Sequence, residues 1–172
     1  MSQAEFESRR FAFEVGGEEV IGVLRVPKGA QGAPALVFDG PLTSVKEQVA
    51  GNYADALAAR GFVTLAFDHR HFGESGGQPR QYEHPGRKLE DVRAAVAALA
   101  ELPEVDGERI GAVGVCAGAL APAFARAFFA ALGGPKQEAW VESEGQVDFY
   151  DKLERIEPAA DRLAEHFRAS LG

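Results

Sequence analysis

The chain has little of several things, and each shortage excludes something. One cysteine, Cys116, stands in 172 residues, so no disulfide can close within the chain and a reducing, cytoplasmic setting is expected. Basic residues are outnumbered, with 18 Lys and Arg against 26 Asp and Glu and a formal net charge of −8. They are scattered, and no run exceeds Arg9-Arg10, so the basic face that nucleic acid requires is missing from the pattern. Long apolar runs are also lacking. Met1 to Arg10 is polar and charged, with no signal core, and the longest apolar stretch, near 110–132, is interrupted by glycines, a proline and Arg126. No segment of that kind spans a bilayer, and a soluble protein with no membrane partner is expected. There is no internal repeat, low-complexity tract or linker, and residues 1–172 read as a single domain.

What is present alternates between two periodicities. Phe11 to Val15 and Val20 to Leu24 flank Gly16-Gly17 and read as a β-hairpin. Ala35 to Phe38 and Phe62 to Phe67 are short continuous apolar runs, typical of strands buried on both faces. Between them, residues 43–60 carry Val45, Val49, Tyr53 and Leu57 at helical spacing, with Gly61 as the stop. Residues 68–86 form a loop rich in Gly, His and Pro. Residues 87–101 predict a helix with Leu89, Val92, Val96 and Leu99 on its apolar face. Ile110 to Val115 reads as a third buried strand, running into a small-residue helix near 117–132. Gln137 to Val141 reads as a last strand, expected beside the one ending at Val115, and a final amphipathic helix starts near Pro158 with Leu163, Phe167 and Leu171 on its core side. A hairpin followed by strand–helix repeats predicts an α/β fold, with a mostly parallel sheet flanked by helices on both faces. Sites in such sheets lie at the carboxyl ends of the strands.

Gly114-Val115-Cys116-Ala117-Gly118, at a strand-to-helix turn, has the form of a nucleophile elbow with Cys in place of Ser. The glycines let the two backbones approach closely, and a thiol at a helix N-terminus is favoured as thiolate. The Ala117 N–H would be one oxyanion donor. An inert core cysteine in a glycine-rich turn fits the same five residues.

Further blocks resemble one family. Phe67-Asp68-His69-Arg70 with Phe72-Gly73-Glu74-Ser75-Gly76-Gly77 is similar to the loop after the fourth strand of dienelactone-hydrolase-related α/β hydrolases. Pro103-Glu104-Val105-Asp106 with Arg109-Ile110-Gly111 resembles that family's lead-in to the elbow. Gly40 to Gln48 resembles its oxyanion-side loop, which implies a second donor near Leu42. Glu144 to Asp151 resembles the block that holds the catalytic histidine. The resemblance covers most of the chain and implies a Cys-nucleophile hydrolase in a minimal form of the fold, lacking the cap and some C-terminal strands. The chain departs from the family in two places. Gln146 stands at the histidine position, and an amide cannot act as general base at neutral pH. The segment that would bear the triad acid is missing between Gly133-Gly134-Pro135 and the last strand.

The reading that results is a weak or impaired hydrolase of small esters, lactones or thioesters, with Cys116, Ala117, Leu42 and Gln146 as its site. A non-catalytic fold kept for binding or assembly is the alternative, and a cyclase or isomerase on the same pocket is a third. The partner expected is a small-molecule substrate, with no cofactor and no metal. A cluster of His69, His71, Glu74 and His84 would be needed for a metal, and loop histidines more often make hydrogen bonds. His71 and His84 are the candidates for a substitute base. Glu142, Glu144 and Asp148 read as an acidic rim, His166 as surface, and Trp140 and Phe124 as packing. A homodimer burying part of the last strand, or Phe128 and Phe129, is expected from the uncovered sheet edge.

Overall fold

The structure, a computed structural model, describes residues 4–115 and 147–172. Among the described residues five strands form one sheet, in the order β1-β2-β4-β3-β5. Strands β1 (Phe6–Val15) and β2 (Glu18–Pro27) make the hairpin, turning through Gly16 and Gly17, both at positive φ. Strand β2 pairs antiparallel with β4 (Val63–Phe67), and β3 (Ala33–Asp39) runs parallel to both β4 and β5 (Val105–Gly114). The sheet is therefore mixed, with a parallel part of β4, β3 and β5 and an antiparallel hairpin on one flank. Helix α1 (Val49–Ala58) connects β3 to β4, and α2 (Pro85–Ala100) connects β4 to β5. The short α3 (Asp148–Asp151) precedes α4 (Leu153–Leu171).

The apolar runs in β3 and β4 are buried on both faces, and their alternation divides the core. Leu36, Phe38 and Ala66 point to one face, where α1 lays Val49, Tyr53 and Leu57, and α4 adds Ile156, Ala160 and Ala164. Ala35, Val37, Val63 and Leu65 point to the other, against Ala95 and Leu99 of α2 and Phe13 and Val20 of the hairpin. Arg60, just past α1, ties it to α4 by donating to Asp161 at 2.8 Å and Glu157 at 2.7 Å. Gly111 of β5 is required by Phe167, because a Cβ there would stand 2.5 Å from that ring.

Several sequence expectations shift. Helix α1 starts at Val49, and residues 43–48 form a turn in which Thr43 has a φ of 60° and Lys46 is pinned from outside. Leu89 is 51% exposed, and the face of α2 that is buried carries Asp91, Ala95 and Leu99. A buried aspartate can outrank a leucine there because the groups that bond it lie beneath the helix. Strand β5 begins at Val105, and of its residues only Val105 and Val113 are buried. Helix α4 begins at Leu153 and keeps Pro158 inside. Its most buried stripe is Ile156, Ala160 and Ala164, with Leu163, Phe167 and Leu171 partly buried beside it. A proline near the start of a helix forfeits only one backbone bond. The expected strand at 137–141, the helix near 117–132, and Trp140, Phe124, Phe128 and Phe129 lie outside the described residues, as does the surface expected to dimerise. Among the described residues no helix is long and apolar enough to cross a membrane.

The corrected face of α2 can be tested by stability. Leu99→Ala should cost about 2–5 kcal/mol, whereas Leu89→Ala should stay within about 0.5 kcal/mol. Urea unfolding of the two variants checks this, and equal costs would restore the Leu89 stripe.

Candidate active site

Strand β3 is the point where the chain reverses direction across the sheet. From β3 it crosses by α1 to β4 on one side, and from β4 it returns by α2, over the opposite face, to β5 on the other side. Such reversals open a crevice at the carboxyl ends of the strands, because the helices diverge there. Asp39 ends β3 at this place. It pairs with Gly114, and its carbonyl accepts the Val115 N–H at 3.0 Å. Strand β5 is thus delivered to this crevice at the residue before Cys116.

A chain of charged side chains lies behind that edge. His69 Nε2 donates to Asp39 Oδ1 at 2.9 Å and Nδ1 to Asp91 Oδ2 at 3.1 Å. Burial and Lys88 work against a charge on this ring. The bonds to Asp39 and Asp91 outweigh them and hold His69 above the ordinary histidine value. With a carboxylate, which only accepts, on each ring nitrogen, the geometry is that of an imidazolium donating on both sides. Burial likewise raises Asp39, but the bond and charge of His69, with those of Lys88, bring its carboxyl below the usual range. Lys88 Nζ reaches Asp39 Oδ1 at 3.1 Å and the Gly40 carbonyl at 3.4 Å. Asp91, almost wholly buried on α2, also takes the Arg70 N–H at 3.1 Å and Arg70 Nε at 2.5 Å.

A second buried group fixes the loop after β3. Lys46 Nζ, which is 3% exposed, contacts Asp68 at 2.8 Å, Glu47 at 2.7 Å and Glu74 at 2.6 Å. Burial disfavours the ammonium, and these bonds more than compensate, leaving it above its ordinary value. Asp68 is completely buried and also accepts the N–H groups of Lys46 at 2.8 Å and Glu74 at 2.9 Å. Its carboxylate packs so tightly on Gly73 that a Cβ there would lie 2.1 Å from Oδ2. Held in this way, the loop presents Leu42 56% exposed. Ser44 closes the turn onto the Pro41 carbonyl, and among the described residues no acceptor takes the Leu42 N–H.

Of the expected site residues, Leu42 lies exposed in the loop after β3, while Cys116, Ala117 and Gln146 lie outside the described residues. Glu142 and Glu144 do too. Asp148 is buried on α3 and holds Lys152 at 2.6 Å. The candidate substitute bases are otherwise engaged. His71 donates from Nδ1 to the Pro79 carbonyl at 2.9 Å and accepts from Arg87 at 2.7 Å on Nε2. His84 caps α2, accepting the Arg87 N–H at 3.2 Å. No metal-binding cluster occurs among the described residues. His166 sits on α4 against Phe167. A cavity of about 300 Å³ opens at the far end of the sheet, between Glu7 to Arg9, Val26 to Ala30 and Glu104, away from this chemistry.

The residues that sequence reasoning missed are Asp39, Lys46, Lys88 and Asp91. For Asp39 and Asp91 the signal was a charged residue at an otherwise apolar position. Asp39 directly follows a buried run, and Asp91 falls at helical spacing with Ala95 and Leu99.

Comparison with known proteins gives the family and the fold. The model of the FrsA-like esterase family matches residues 2–141. The chain belongs to the FrsA-like esterase family. An uncharacterised protein of Pseudomonas aeruginosa, PA2218, is 47% identical over 116 residues, which are 66% of this chain and 31% of that one. Thiohydrolase aneE of Aspergillus aculeatus is 40% identical over 91 residues, covering 53% of this chain and 29% of the relative. The chain thus spans about three tenths of the length of these relatives. The crystal structure of PA2218 superposes with a TM-score of 0.63 at 46% identity, over 67% of this chain and 37% of that one. A dienelactone hydrolase-like promiscuous phosphotriesterase, P91, from metagenomic libraries superposes at 0.55 and 25% identity, over 66% and 51%. The fold is that of the α/β hydrolases.

Two measurements test the charged groups. His69 should titrate above about 6.5, the unperturbed value, in an NMR pH series. Its folded pKa is raised, so its contribution to stability is complete below the unfolded pKa and is lost as pH rises through the folded one. Unfolding free energy should therefore fall across that interval, and His69→Gln should flatten the slope. Lys46→Met leaves the carboxylate of Asp68 buried without its cation and should cost about 3–5 kcal/mol, read by thermal unfolding.

Proposed function

We propose that this chain is a hydrolase of small esters, lactones or thioesters that works through Cys116. The observation that carries the reading is the end of β3, where Asp39 pairs with Gly114 and accepts the Val115 N–H, one residue before Cys116 in the sequence. The loop that follows β3 presents Leu42 exposed, with its N–H untaken among the described residues. Membership of an esterase family supports the reaction class, and likeness to a thiohydrolase supports thioesters among the substrates.

In this reading the Cys116 thiolate attacks the acyl carbon, and the N–H groups of Ala117 and Leu42 receive the charge that develops on the carbonyl oxygen. The leaving group departs and the acyl group stays on sulfur. Thiolate attack on an activated ester needs no base. Deacylation does, because water must give up a proton as it attacks, and Gln146 cannot take it. The chain therefore acylates quickly and turns over slowly.

A p-nitrophenyl ester should give a burst near one equivalent, with the adduct on Cys116 seen by intact mass spectrometry. Cys116→Ser should abolish the burst. Gln146→His should restore only part of the turnover, since the sequence shows no counterpart of the family's acid-bearing segment to orient the new imidazole. No adduct and no turnover would favour a fold kept for binding, the reading that Gln146 also permits.

A further inference from the structure

Strand β1 ends the described sheet on one side, and the bonds of its neighbour β2 fix where its own backbone groups point. Ile21 of β2 turns away from β1. Its N–H donates to Ser75 Oγ at 2.9 Å, and its carbonyl accepts the Asp68 N–H at 2.9 Å. The Glu19 carbonyl turns away too, accepting the Gly76 N–H at 2.7 Å. In an antiparallel pair, the residue opposite one that turns away also turns away. Ala12 stands opposite Ile21 and Glu14 opposite Glu19. Both therefore aim N–H and C=O outward, as do Arg10 and Ser8 by the same alternation. All four residues are exposed, and no backbone group of the described residues bonds these outward groups.

Such an edge is a template for a further strand, and many proteins guard it with charge. Here the charges have both signs, at a spacing that fits a second copy of the same strand. When two copies of β1 pair antiparallel through their outward groups, the register depends on which residue lies on the two-fold axis. With Ala12 there, Arg10 of each copy faces Glu14 of the other. With Arg10 or Glu14 there, like charges meet on the axis. With Phe11 there, Arg10 faces Ala12 and Glu14 faces Ser8. With Phe13 there, Glu14 faces Ala12 and Arg10 faces the Gly16 turn. Of these registers, the first alone matches opposite charges.

Two further features favour it. Glu14 stands opposite Glu19 within the hairpin, a like-charge pair that costs stability. Arg10 comes within 3.6 Å of Glu19, and no cation of the described residues pairs with Glu14. On the other face of β1, Phe11 is half-buried beside Phe13, with ring centroids 6.1 Å apart. The Ala12 register sets Phe11 of each copy against Phe13 of the other, at the positions where cross-strand side chains lie closest. The other outer strand, β5, has one cation, Arg109. It is already held by Asp106 and by the Gly32 and Gly172 carbonyls, each at 2.8 Å.

We propose that β1 is a self-association edge, on which a second copy of this chain pairs antiparallel about Ala12 and continues the sheet from one copy into the next. This edge is distinct from the dimer surface expected from the sequence, and it is independent of the proposed reaction.

Sedimentation velocity over a range of micromolar concentrations should show the mass of the parent chain doubling as concentration rises. Arg10→Glu and Glu14→Arg each set like charges face to face at both ends of the pairing. Either alone should weaken the dimer about tenfold or more. Mixed in equal amounts, the two variants should dimerise with each other, because each then offers the other opposite charges at both positions. That recovery cannot come from chains that failed to fold. Ala12→Cys, made together with Cys116→Ser, should cross-link under mild oxidation. A hydrogen-bonded antiparallel pair holds its Cα atoms about 5.5 Å apart, within the reach of a disulfide. A mixture as monomeric as its components, or a dimer that does not cross-link, overturns the register. A dimer that both single variants leave intact places the interface elsewhere and overturns the proposal. So does a parent chain that stays monomeric at high micromolar concentration.

Discussion

The imidazolium of His69, fixed between Asp39 and Asp91, connects the layers on which the crevice depends. Asp39 belongs to the central parallel strand, Asp91 to the helix on one face, and His69 to the loop leaving β4. Taking these charges out of water is expensive, and their mutual attraction returns the cost only when every lone pair and proton has a partner. Here nearly all do. Asp91 receives His69, the Arg70 backbone and the Arg70 guanidinium, so the α2 carboxylate is saturated. The exception is the outer oxygen of Asp39, and it lies at the edge of the crevice. A well-satisfied buried network fixes one arrangement of the elements around it.

The Lys46 and Asp68 pair does the same work for the neighbouring loop. Asp68 accepts from two backbone N–H groups and an ammonium, which leaves residues 43–48 no freedom to continue α1 toward its N-terminus. The loop is then set by side chains far apart in sequence rather than by its own propensities. The hairpin joins this scaffold through Ser75, which accepts the Ile21 N–H at 2.9 Å and donates to the Asp68 carbonyl at 2.6 Å.

These features explain what could be read from the sequence. Strands β3 and β4 were legible because continuous apolar runs such as Ala35 to Phe38 have few other uses, and the hairpin because Gly16-Gly17 punctuates two alternating segments. The faces of the helices were less legible. Leu89 satisfies a hydrophobic pattern, yet Asp91 is the residue that turns inward, since what it meets comes from a strand end and a loop that no local window contains. Leu42 was identified through a resemblance, and its exposure follows from Lys46, whose partner Asp68 lies across the sheet end. Asp39 was invisible as a site residue because a single aspartate after a strand is common. Only the register with β5 gives it a position.

The ion pairs of this chain also divide by how they meet salt. Lys28 with Glu5 and Arg10 with Glu19 stand in solvent at the rim of the hairpin, where mobile ions compete for both partners. His69, Lys46, Asp68 and Asp91 lie below the reach of those ions, although Glu47 and Glu74, which also hold Lys46, stand in solvent. Ionic strength therefore loosens the periphery and relieves the self-repulsion of a chain carrying −8, while the field at the end of β3 stays as the fold set it.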